Sequence, residues 1–114
     1  MKKIILIFMA FVFIFGCSSK TPTVKIISIE SKGCHFCEEQ QKVFAELKEK
    51  YKDKIIIETH LIDDPDGISY ADKYGATKFP TNIFLDEKDN VIFRAEGLLK
   101  KDSIVKVLDI VGIK

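Results

Sequence analysis

Apolar and polar positions come in blocks along this chain, and the blocks change period several times. Ile4 to Phe15 is an unbroken apolar run preceded by Lys2 and Lys3. Ser18 to Thr23 is short, polar and proline-bearing, and reads as a tether rather than part of a fold. Val24 to Ile29 is β-branched and mostly apolar, the pattern of a strand covered on both faces. Gly33-Cys34 interrupts it. From His35 to Tyr51 the residues Phe36, Val43, Phe44, Leu47 and Tyr51 fall at helical spacing, with Glu, Gln and Lys filling the other face. Lys54 to Ile62 predicts a second strand. Asp63, Asp64 and Asp66 flank Pro65 and suit the cap of a short helix that carries Ile68, Ala71 and Tyr74 and stops at Gly75. Asn82–Asp86 and Val91–Ala95, joined by Glu87 to Asn90, predict a hairpin. A last helix over Lys101–Val111 puts Ile104, Val105, Leu108 and Val111 on one face.

The order β-α-β-α-β-β-α predicts an α/β fold with a mixed four-stranded sheet and helices on both faces. The first crossover should be parallel and right-handed, and the hairpin adds antiparallel pairing. A chain of 114 residues holds one such domain. The expected organisation is a leader over 1–16, a tether over 17–23 and the domain over 24–114.

The leader is too short to span a bilayer, which takes ~20 apolar residues. A basic start, a short apolar stretch and small residues make it a secretory signal. Its end, Ile14-Phe15-Gly16-Cys17, resembles the lipobox of bacterial lipoproteins. That resemblance implies cleavage before Cys17, lipid on its sulfur, and a place in the cell envelope on the extracytoplasmic face of a bacterial membrane. The plainer alternatives are a chance cysteine at the end of an ordinary signal, or an uncleaved anchor. Without the two leader lysines, 16 basic residues face 17 acidic ones. No bulk charge or basic stripe is available to drive nucleic-acid binding. Three cysteines are also too few for a disulfide-stapled scaffold.

Cys34-His35-Phe36-Cys37 sets two thiols three residues apart where a strand gives way to a helix. At a helix start the first thiol meets unpaired N–H groups and the positive end of the macrodipole, which favour thiolate. The second lies one turn inward, so the Cα atoms can approach the ~5.5 Å a disulfide requires. It is also placed to attack a mixed disulfide formed at the first.

With this motif and element order, the chain resembles the thioredoxin superfamily over about Val24 to Val111. Lys73-Tyr74-Gly75-Ala76-Thr77-Lys78-Phe79-Pro80-Thr81 has the form of the segment that leads into that family's third strand, and Gly97 falls where the family keeps a glycine. The resemblance implies a thioredoxin-like thiol–disulfide oxidoreductase. Cys34 would attack and Cys37 resolve, the two forming a redox-active disulfide. A cis Pro80, with Phe79 and Thr81, would hold the substrate chain. It implies no bound cofactor. Its partners would be protein substrates with thiols or disulfides and a membrane redox partner that recharges the pair, the chain itself being a monomer.

Departures from the family narrow these expectations. Gly33 stands where thioredoxins have tryptophan, and Phe79 replaces a smaller residue. His35 and Phe36 replace the usual dipeptide and are candidates for tuning the dithiol, Phe36 as an exposed part of the docking surface. Ser28 occupies the place of a buried acid in many relatives. Glu30, two residues on and on the same strand face, either stands in for that acid or is a solvated strand-end carboxylate, the simpler expectation. His60 reads as structural. A metal-binding or metallochaperone module using Cys34, Cys37 and His35 or His60 is the alternative from another class. A closed zinc site wants four ligands, which counts against it.

Overall fold

The computed structural model describes residues 22–114. Cys17, the leader and most of the tether lie outside them. The elements are β1 Val24–Glu30, α1 His35–Tyr51, a 3-10 turn Lys52–Lys54, β2 Ile55–Leu61, α2 Pro65–Tyr74, β3 Thr81–Leu85, β4 Val91–Glu96 and α3 Lys101–Ile110. The strands form one sheet in the order β2-β1-β3-β4. β1 and β2 are parallel, with Ile26 opposite Ile57, while β1–β3 and β3–β4 are antiparallel. This is the mixed sheet that the hydrophobic pattern predicts. Element ends differ slightly: β3 starts at Thr81 rather than Asn82 because Thr81 pairs with both Ile29 and Glu96.

β1 is central and buried along almost its whole length, and its two faces do different things. Val24 and Ile26 pack with Phe44 and Leu47 of α1 and Ile104 and Leu108 of α3. Ile27 and Ile29 pack on the other side with Ala71 of α2, Ile83 and Leu85. By the strand period of two, Ser28 and Glu30 belong to the α1 side. Each large apolar side chain so buried contributes about 1.5–3 kcal/mol. The α1–α3 layer holds most of them, so it dominates the stability of the sheet.

Along α1 the buried residues are Cys37, Gln40, Phe44, Leu47 and Tyr51. Phe36, by contrast, leaves this row and is 58% exposed. α2 begins at Pro65 and ends at a left-handed Gly75. The expected aspartate cap is corrected in part. Asp64 holds the N-cap position but makes no side-chain cap bond. Asp63 instead accepts the Lys32 N–H at 3.0 Å, tying the loop after β1 to the loop after β2. α2 also comes unusually close to the sheet: a Cβ at Gly67 would lie inside the Leu61 carbonyl.

Candidate active site

The site forms where β1 runs out. Gly33, at φ +71°, turns the chain through a left-handed conformation that L side chains resist, and α1 begins at once. Cys34 is the N-cap of α1, and the Cys37 N–H donates to its Sγ at 3.2 Å. The Cys34 carbonyl accepts the first intrahelical bond of α1, from the Glu38 N–H at 3.2 Å. Cys34 and Cys37 are joined as a disulfide, with their Cα atoms 5.2 Å apart. Cys34 is half-buried, while Cys37 is 4% exposed. Only the first sulfur is therefore within reach of a large partner.

The segment that precedes β3 faces this pair. The Phe79–Pro80 peptide bond is cis, and the Phe79 carbonyl lies 3.9 Å from Cys34 Sγ. Pro80 is buried; its carbonyl accepts the Gly97 N–H at 2.7 Å. Thr81 is fully buried and its hydroxyl donates to the Lys78 carbonyl, which closes the turn before the proline. Thr81 is thereby part of the scaffold, and Phe79 supplies the backbone next to sulfur. His35 and Phe36 project from the first turn of α1, both exposed, with their rings edge-to-face at 5.8 Å. Phe36 thus adds apolar surface beside the disulfide.

Glu30 is not the solvated strand-end residue expected. It is 3% exposed because the start of α1 and the end of β2 cover it. It lines one cleft of about 310 Å³ with Cys34, Cys37, Glu38, Gln41 and Thr59. Burial pushes its carboxyl above the usual range, and a bond from Gln41 Nε2 to Glu30 Oε2, 2.7 Å, pulls partly back.

Two further residues of this region escaped the sequence reading. Gln40 is fully buried and clamps the loop after β4. Its Oε1 accepts the Leu99 N–H at 2.8 Å and Asn82 Nδ2 at 3.0 Å, and its Nε2 donates to the Leu99 carbonyl at 3.0 Å. Asn82, also fully buried, sits opposite Ser28 in the β1–β3 register. Ser28, in the place where relatives keep an acid, thus belongs to a neutral polar layer.

The residues of the metal alternative do not gather. His60 stacks on Tyr70 of α2, with ring centroids 3.8 Å apart, so its side chain is on the opposite side of the sheet from α1 and Cys37. Among the described residues no group of three or more His, Cys, Asp or Glu side chains could hold a metal ion.

No family model matches this sequence, and neither does any curated protein. Solved structures do. A thioredoxin-like protein from Clostridium perfringens shares 29% identity at a TM-score of 0.73, over 84% of this chain and 76% of its own. Thioredoxin-2, a component of the malaria parasite protein secretion machinery, shares 20% at a TM-score of 0.70, over 77% of this chain and 82% of its own. Another malarial protein shares 22% at a TM-score of 0.69, over 76% and 94%. The fold is thioredoxin-like. With a Cys-x-x-Cys disulfide at the start of its first helix, it carries the parts that thiol–disulfide exchange requires.

Proposed function

We propose that this thioredoxin-like chain is a thiol–disulfide oxidoreductase of the bacterial cell envelope, anchored by lipid on Cys17, that exchanges disulfides with protein substrates. The observation that carries the catalytic part is the asymmetry of the pair. Cys34 caps a helix and is half-buried, Cys37 is shielded, and the Phe79 carbonyl lies 3.9 Å from Cys34 Sγ. In the reduced state the helix start favours the Cys34 thiolate. That thiolate attacks a substrate disulfide, forming a mixed disulfide and releasing one substrate sulfur as thiolate. Cys37 then attacks Cys34, the internal disulfide forms, and the second substrate sulfur leaves. The substrate gains two electrons and the dithiol loses them; the reverse sequence oxidises a substrate dithiol. In this reading the backbone of Phe79 bonds an extended substrate segment as a short added strand; its carbonyl, 3.9 Å from Cys34 Sγ, supports that role. A membrane redox partner returns the pair to its working state. The anchor rests on the lipobox-like Ile14-Phe15-Gly16-Cys17.

The test uses the full chain in detergent with insulin and dithiothreitol. The parent should accelerate insulin reduction and Cys34→Ala should not. Cys37→Ala should accumulate mixed disulfides with protein substrates, while Cys34→Ala accumulates none. Equal trapping by both variants, or no acceleration by the parent, would overturn the reading. Mass spectrometry of membrane-extracted protein should find a diacyl-modified Cys17 at the N-terminus; an unmodified, water-soluble chain would remove the anchor.

A further inference from the structure

The end of the domain remote from the dithiol carries features that thiol–disulfide exchange does not use. β1, β2 and β4 begin there and β3 ends there, since Val24 pairs with Ile55, Lys25 with Leu85, and Leu85 with Val91. α3 ends there too. Val111 and Ile113, just past it, line one cleft of about 410 Å³ with Pro22 and Thr23, where the described chain begins. Ile110, the last residue of α3, is 84% exposed, more than any other large apolar side chain of the described residues.

A lone exposed apolar residue is ordinary, but this one stands in a basic corner. Lys54 Nζ donates to the Lys114 carbonyl at 2.6 Å, and Lys114 Nζ lies 3.9 Å from Asp109, the residue before Ile110. Lys50 and Lys52, at the turn before β2, are exposed, and among the described residues neither forms an ion pair. Against Lys50, Lys52, Lys54 and Lys114 stand Asp53 and Asp109, which leaves the corner net positive. Asp86 and Glu87 of the β3–β4 turn line the cleft as well, and Glu87 is engaged by the Thr23 N–H at 3.1 Å. The corner of α3, rather than the hairpin, is therefore the side that suits an anionic surface.

What covers this corner is decided by what enters beside it. Cys17 lies five residues before Pro22. Five residues span at most about 18 Å even when fully extended. Resting on the lipid anchor of the reading above, we propose that the end of α3 and the turn before β2 seat on an anionic bilayer surface. Ile110 enters the boundary between headgroups and acyl chains, and Lys50 and Lys52 meet lipid phosphates. The anchor makes this contact intramolecular in effect, so a small patch suffices. Lysine stems lie along apolar surface while their ammonium groups stay among the headgroups, and anionic lipids attract them. β1 runs about 20 Å from this end to the dithiol. Cys34 is thereby held on the side away from the bilayer, where protein substrates and the thiols of a recharging partner reach it from the water.

The chain has no tryptophan, so a single introduced indole reports only its own surroundings. The full chain, purified with its lipid, is reconstituted in vesicles of acyl-brominated phosphatidylcholine with one-fifth phosphatidylglycerol, and flotation shows whether it is bound. Bromine quenches an indole that reaches the acyl boundary. Ile110→Trp should lose at least about a third of its fluorescence relative to unbrominated vesicles, since an interfacial helix face enters ~5–10 Å. Phe36→Trp, beside the dithiol, should lose almost none. Both variants carry the same ring, so any affinity of indole for the interface is common to them. Adding Lys50→Glu and Lys52→Glu to Ile110→Trp should roughly halve the quenching, as should leaving out phosphatidylglycerol. A floating chain whose Ile110→Trp indole is unquenched, or in which both indoles are quenched alike, would overturn the seat and leave the anchor standing. Quenching indifferent to both the lysine changes and the anionic lipid would overturn the role of the lysines. A chain that does not float would overturn anchor and seat together, while insulin reduction by the parent tests the exchange reading apart from either.

Discussion

Glu30 illustrates how one side chain can oppose the stability of the domain that carries it. Its carboxyl is raised from 4.5, chiefly by burial and against a partial correction from Gln41. The folded chain therefore binds this proton more tightly than the unfolded chain does. A raised carboxyl contributes stability that is fully present below the unfolded value and is lost as pH rises through the folded one. In the oxidised protein, where no thiol titrates at the pair, Glu30→Gln should melt higher than the parent at pH 7. The expected outcome is a higher melting temperature for the variant at pH 7, in the direction the raised carboxyl dictates. The gain should shrink as pH falls toward 4.5. Thermal melts across pH 4 to 8 check this, and a gain that grows on acidification would contradict it. Cys34 and Cys37 make a second contrast at this scale, being chemically identical but unequally accessible. In reduced protein an alkylating reagent should label Cys34 at least tenfold faster, readable by mass spectrometry of peptides quenched in time.

Among the elements, α2 depends on a single missing side chain. Gly67 is buried against the Leu61 carbonyl at the end of β2. Gly67→Ala would normally favour a helix, but here the methyl meets backbone that cannot rotate away. The variant should lose at least the ~1–3 kcal/mol of an overpacked core, measurable by denaturant unfolding. An unchanged midpoint would show that α2 can lift off β2 at little cost. This contact was not legible in the sequence, because it joins two loop-linked elements through a backbone atom that no side-chain pattern marks. The tie between Asp63 and the Lys32 amide was hidden for the same reason. Element types were legible, since the apolar period changes at each boundary. Gln40 was legible in principle: Cys37, Gln40, Phe44, Leu47 and Tyr51 recur at three and four, and a polar residue on that row must find buried partners. Glu30 was legible only to its strand face. How far α1 and β2 reach over the strand end is a property of their packing.

At the scale of the whole molecule, the described chain has two edges and a protected middle. β2 and β4 are the edge strands, and Lys48 reaches from α1 to the Ile55 carbonyl at 2.7 Å at the start of β2. β1 is hydrogen-bonded on both sides, packed on both faces, and leads through the Ser31–Gly33 loop to Cys34. The dithiol is consequently suspended from the strand that is paired on both sides and packed on both faces, the part expected to open last. In hydrogen–deuterium exchange, the amides of Ile26 to Ile29 should exchange only through global unfolding, and those of β4 through smaller openings. Reducing the disulfide should lower protection at Cys37 and Glu38 and leave Ile26 to Ile29 unaltered. A loss of protection along β1 on reduction would mean that strand and dithiol open as one cooperative unit. If exchange follows the expected pattern, the cost of each redox cycle falls on a single helical turn and not on the strand that holds the fold together.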